Sequence, residues 1–146
     1  MDILIALIIA LLIVAIIRVR KKLNEIKSIS LLDFLQRIQN GSEARDISPA
    51  KLQKILITKN DTPLIIDLRE EDIYEKGHID KALLMPFDNF MHEVLVEESY
   101  EKEKAMILIC DHGLKSKVAA DILGEDEGFS SVLSLRGGME AWEKYK

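Results

Sequence analysis

The chemistry of this 146-residue chain centres on its single cysteine, Cys110. The run Ile107-Leu108-Ile109 ends at that thiol, and Asp111-His112-Gly113-Leu114-Lys115-Ser116 leads into Val118-Ala119-Ala120-Asp121-Ile122-Leu123. This pattern reads as a buried strand, a glycine-bearing loop and a helix, with the thiol at the carboxyl end of the strand. Backbone N–H groups of such a loop can converge on one point, backed by the positive end of the helix, and so favour an anion. The nearest anion is the cysteine's own thiolate. A free thiol is only a few per cent ionised at neutral pH. Making it mostly thiolate requires roughly 2.7 kcal/mol, which a helix terminus and several amide donors can supply. Taken alone, Cys110 equally fits an inert, space-filling residue at a strand end.

One cysteine excludes an internal disulfide and any multi-thiolate zinc or iron–sulfur site, so neither metal nor cofactor is expected. A composition 48% hydrophobic gives room for one domain with a proper core. An unpaired thiol fits a reducing compartment.

Four ordered motifs extend the pattern beyond the cysteine. Cys110-x-x-Gly113-x-Lys115-Ser116 resembles the active-site loop of the rhodanese-like domain family. Ile65-Ile66-Asp67-Leu68-Arg69 resembles the family's strand ending in Asp-x-Arg. Tyr74-Glu75-Lys76-Gly77-His78-Ile79, followed by Ala82 and Pro86, resembles its Gly-His-Ile segment. Leu135-Arg136-Gly137-Gly138-Met139-Glu140-Ala141-Trp142 resembles its closing Gly-Gly-x-x-x-Trp signature. The resemblance spans about residues 47 to 146. It implies an α/β fold with a mostly parallel, five-stranded sheet flanked by helices, and sulfane-sulfur transfer through a persulfide on Cys110. The amides of Asp111, His112, Gly113, Leu114, Lys115 and Ser116 would hold the negative sulfur. The donor would be thiosulfate-like, the acceptor cyanide, a thiol or a protein cysteine. Six residues from Cys110 through Lys115 match the loop size the family associates with sulfur acceptance; relatives acting on phosphate or arsenate carry one more.

Two features depart from that pattern. Lys115 stands where many relatives have arginine, offering a point charge without the planar fork. Asp111 adds a negative charge inside the loop. Both leave room for a second reading, a membrane-tethered adaptor module with little turnover. Asp67 and Arg69 are expected as supporting residues that fix loop geometry or lend positive charge near the pocket. His78 is expected to tie a turn rather than to catalyse, and His112 to be a loop residue or to tune the thiol.

The elements that position these residues follow in chain order. Ile3 to Ile17 is uninterrupted Ile, Leu, Ala and Val, and Arg18, Arg20, Lys21 and Lys22 follow it. Residues 1–22 are therefore expected to be a retained transmembrane anchor with a basic flank, spanning the lipid bilayer through Ile3–Ile17. The basic cluster would place the catalytic domain on the cytoplasmic side of a cell (inner) membrane, single-pass. Beyond residue 22 the chain carries a net charge of −8, against −5 for the whole, which makes nucleic acid a poor partner.

Residues 23–46 read as a helical linker. In it Ser30 caps a helix, Leu31, Phe34, Leu35 and Ile38 form an apolar stripe, Asn40-Gly41 ends the helix, and 41–46 form a joint. The stripe packs on the domain or docks a membrane-protein partner. Residues 47–146 are the rhodanese-like domain. There Ser48-Pro49 starts a helix to about Ile57, 59–63 turns, and Leu64–Asp67, Ala82–Met85 and Ser131–Leu135 are strands. Between them, 70–76 is a short helix, 87–100 is helical or irregular, Gly124–Gly128 turns the chain, Phe129 enters the core, and Trp142 is a core or lid residue.

Overall fold

The computed structural model describes residues 3–27, 31–40, 45–58, 63–97 and 99–146. The expected Ser30 cap, the side chain of Leu31, most of the joint at 41–46 and most of the turn at 59–63 lie outside the described residues.

The elements run α1 (Ile3–Lys27), α2 (Leu31–Asn40), β1 (Asp46–Ile47), α3 (Pro49–Ile57), β2 (Leu64–Asp67), α4 (Glu71–Tyr74) and β3 (Leu83–Leu84). After these come α5 (Phe87–Leu95), β4 (Met106–Ile109), α6 (Leu114–Asp121), a π-helical segment (Ile122–Asp126), β5 (Val132–Leu135) and α7 (Gly138–Tyr145). The five strands form one sheet of order β1-β5-β4-β2-β3, parallel at every pairing. Such a sheet is covered on both faces, and the strand sequences show it. In β4, Met106 and Leu108 enter one core layer while Ile107 and Ile109 enter the other; Ile66 and Ile65 of β2 divide the same way. The first layer gathers α5, α6 and Phe129. The second holds Leu52 of α3 with Met139 and Trp142 of α7.

Local chemistry accounts for the element ends. Ser48 caps α3 by accepting from the Lys51 amide at 3.3 Å, with Pro49 at the first position, where its missing N–H is not needed. Gly113, at φ 81°, starts α6 in a conformation that costs a residue with a Cβ. β1 was not read from the sequence, since two residues are too few to show a period. It straddles the expected boundary between linker and domain. The expected turn at Gly124–Gly128 is instead largely the π-helical segment, and the Arg45 guanidinium lies over Gly124.

α2 packs on the domain: Phe34 and Ile38 reach the first core layer, and Arg37 Nη2 donates to Asp126 Oδ2 at 2.8 Å. The described side chains of α1, Ile5 and those of residues 7–20, are all exposed. Among the described residues, no helix is long and apolar enough to cross a membrane, so the transmembrane anchor expected at residues 1–22 finds no support in the fold.

Candidate active site

Cys110 directly follows β4 and continues the row of Met106 and Leu108, so its side chain enters the same layer, against α6. It is 4% exposed. Its Sγ is met by two groups of one residue: the Ser116 amide donates to it at 3.4 Å, and the Ser116 hydroxyl lies at 3.3 Å. Of the ring of amides expected from Asp111 to Ser116, Ser116 alone among the described residues bonds Sγ. The helix α6 itself begins only at Leu114.

The loop is held from behind by α7. The Met139 amide donates to the Cys110 carbonyl at 2.9 Å, and the Glu140 amide to the Asp111 carbonyl at 3.1 Å. The amino-terminal N–H groups of a helix lack partners inside it, and here they hold two loop carbonyls. A Cβ on Gly138 would collide with both carbonyl oxygens, and one on Gly113 would stand 2.9 Å from the Gly137 nitrogen. The Gly-Gly pair therefore lets backbone meet backbone under the cysteine loop. With the carbonyls turned to α7, the loop's N–H side is left for the site.

The remaining candidates divide clearly. Leu114 and Lys115 are exposed at the rim, with Lys115 Nζ 5.9 Å from the centre of the Phe87 ring. Phe87, at the start of α5, is a rim residue that the sequence pattern did not single out. His112 and Asp111 are exposed; His112 Nδ1 lies 3.0 Å from Glu140 Oε2, and Glu140 Oε1 accepts from Lys144 at 2.6 Å. Hydrogen bonds from Lys144 and His112 hold the Glu140 carboxyl below the usual range.

Asp67 and Arg69 are paired with each other. Arg69 Nε and Nη2 donate to Asp67 at 2.9 and 2.7 Å, and Nη2 also donates to the Gly77 carbonyl at 2.8 Å. Burial pulls the Arg69 pKa down, but the Asp67 hydrogen bonds and the charges of Asp67, Asp111 and Glu143 outweigh it and hold the guanidinium above its ordinary value. His78 stacks on Tyr74 at 3.8 Å and its Nδ1 lies 3.1 Å from the Tyr74 carbonyl, which ties a turn as expected. A cleft of about 280 Å³ beside the loop is lined by Arg69, Lys76, Asp111, His112, Glu140 and Glu143 among others, and charge of both signs makes it a poor apolar pocket. Among the described residues, no cluster of His, Cys, Asp or Glu is arranged to hold a metal ion.

A nucleophile at a strand end, a loop of amides and a helix amino terminus define a site for transfer of a group onto sulfur. The family model of the rhodanese-like domain matches residues 48–145, and the chain belongs to that family. It is 32% identical over 92 residues to the thiosulfate sulfurtransferase GlpE of Shewanella oneidensis, covering 63% of this chain and 87% of that one. It is 37% identical over 90 residues to the GlpE of Coxiella burnetii, covering 62% and 79%. The rhodanese-like domain from Anabaena sp. superposes with a TM-score of 0.60 at 25% identity, over 69% of this chain and 74% of that one. A rhodanese-like domain protein from Staphylococcus aureus superposes with a TM-score of 0.58 at 26% identity, over 67% and 90%. The protein is a sulfurtransferase.

Proposed function

We propose that the protein carries sulfane sulfur on Cys110, taking it from a thiosulfate-type donor and passing it to a thiol, a protein cysteine or cyanide. The Cys110 thiolate attacks the outer sulfur of thiosulfate; the new S–S bond forms as the old one breaks, and sulfite leaves with the electron pair. The acceptor, as an anion, then attacks the outer sulfur of the persulfide, and the Cys110 thiolate is regenerated with its electron pair. The observation that carries this reading is the pairing of Cys110 Sγ with the Ser116 amide and hydroxyl at the head of α6. The amides not bonded to Sγ are available to the outer sulfur, where charge accumulates. Lys115 at the rim adds positive charge for an anionic donor.

The same proposal places the domain at a membrane. Support comes from the apolar row Ile5 to Val19 on α1, whose described side chains are exposed, and from Arg18 and Arg20 at its end. Against thiosulfate, the full chain should gain the mass of one sulfur atom, and Cys110→Ser should gain none. The same mass gain in both proteins, or none in either, would remove the persulfide route and leave the adaptor reading. Flotation of the full chain with lipid vesicles tests the membrane placement; protein remaining at the bottom of the gradient would exclude it.

A further inference from the structure

Ser134 of β5 is a hydroxyl in a place built for hydrocarbon. It is 0% exposed, pairs in the sheet with Leu108 of β4 and Asp46 of β1, and points to the same layer as Val132. A buried hydroxyl is costly without a partner. Its partner is the Ser116 hydroxyl, 2.8 Å away and itself 0% exposed, and Ser116 in turn lies 3.3 Å from Cys110 Sγ. Three polar atoms thus form a closed row running from the sheet to the thiol.

The row has two proton arrangements. If the thiol donates to Ser116 and Ser116 to Ser134, the Ser134 proton has no acceptor among the described residues. If Ser134 donates to Ser116 and Ser116 to sulfur, every hydroxyl proton is used, and sulfur receives two donors, the Ser116 O–H and N–H. The second arrangement favours the sulfur as an anion, because a thiolate accepts hydrogen bonds far more strongly than a thiol. We propose that Ser134 is a positioning residue for the transfer reaction: it fixes the direction of the Ser116 hydroxyl and so favours the thiolate of Cys110. The proposal deepens the sulfur-transfer reading and rests on it for what the thiolate does. The charged groups around the loop are Asp111 and Lys115 on the loop, Asp67 and Arg69 at the end of β2, and Glu140, Lys144 and Glu143 on α7 with His112 facing them. All of these stay in place when Ser134 is changed.

The test is the rate at which iodoacetamide alkylates Cys110 in the full chain, read at pH 7 and at pH 10. Ser134→Ala should lower the pH 7 rate by about threefold to tenfold and leave the pH 10 rate unchanged, because the lost hydrogen bond matters only where thiol and thiolate compete. An equal fall at both pH values, or none, would overturn the proposal. Since Ser134 acts through Ser116, adding Ser134→Ala to Ser116→Ala should change nothing further; additive losses would overturn it too. Should the alanine variant fail to fold, Ser134→Thr and Ser134→Val, alike in shape and differing in the hydroxyl, read the same ratio. Threonine should match the wild-type rate ratio and valine fall below it, and equal ratios would refute the relay. A wild-type chain that shows these ratios yet takes no sulfur from thiosulfate keeps the relay and loses the proposed function.

Discussion

At the scale of single residues, charge near the site is mostly engaged with other charge. Arg69 illustrates it, because its fork is matched to both Asp67 oxygens and to the Gly77 carbonyl while its side chain is only 4% exposed. Lysine cannot reproduce a planar fork. Arg69→Lys should therefore cost roughly 1–3 kcal/mol and lower the thermal midpoint by several degrees. At a temperature where the variant is folded, its KM for thiosulfate should match the wild type. A raised KM with an unchanged midpoint would make Arg69 an anion ligand instead. The sequence made the Asp-x-Arg pair visible but left both roles open, since only the fold brings Gly77 within reach. Ser134 was legible only as a strand residue, because nothing in the alternation of β5 announces a partner on α6.

At the scale of elements, the cysteine loop is as well placed as the helix behind it. The Gly137-Gly138 pair reads in sequence as a permissive start for α7. Its physical reason is the packing of α7 against the Cys110 and Asp111 carbonyls, a contact between segments distant in the chain. Gly138→Ala would drive a Cβ into both carbonyl oxygens and shift the loop, and displacements near 1 Å commonly cost about 10²-fold in rate. Sulfur loading from thiosulfate should fall by that order. Gly128→Ala is the control: its φ of 75° is also left-handed, but a Cβ there meets nothing within 4 Å. That variant should lose about 1 kcal/mol of stability and keep its loading rate. Equal activity in the two variants would detach α7 from the site. The same distance in sequence explains the other misreading. Glycine and acids at 124–128 announce a turn, whereas the structure forms a π-helical segment there with the Arg45 guanidinium lying over Gly124.

At the scale of the molecule, the segment before the domain is packed into it. Phe34 and Ile38 of α2 reach the first core layer, and the groups around that contact are charged: Arg37 on α2, Arg45 before β1, Lys117 and Asp121 on α6, Glu125 and Asp126 in the π-helical segment. The apolar stripe of α2 was legible from its spacing, whereas the charged seam was not, since its members come from three separate stretches. Asp121 is the strained member. It is 2% exposed, and its Oδ1 has no hydrogen-bond partner among the described residues. Burial, with Glu125 adding to it, holds its carboxyl above the ordinary carboxylate range, while Lys117, Arg37 and Arg45 pull the other way. A carboxyl raised on folding binds its proton more tightly folded than unfolded. Its contribution to stability is complete below the ordinary aspartate value of 3.8 and is lost as the pH rises through the folded value. Asp121→Asn removes the charge at every pH. Its thermal midpoint should therefore match the wild type at about pH 3 and exceed it by roughly 3 °C at neutral pH. Midpoints that agree at both pH values would mean that the three cations fully compensate the buried carboxylate, and that the seam between α2 and the domain carries no strain.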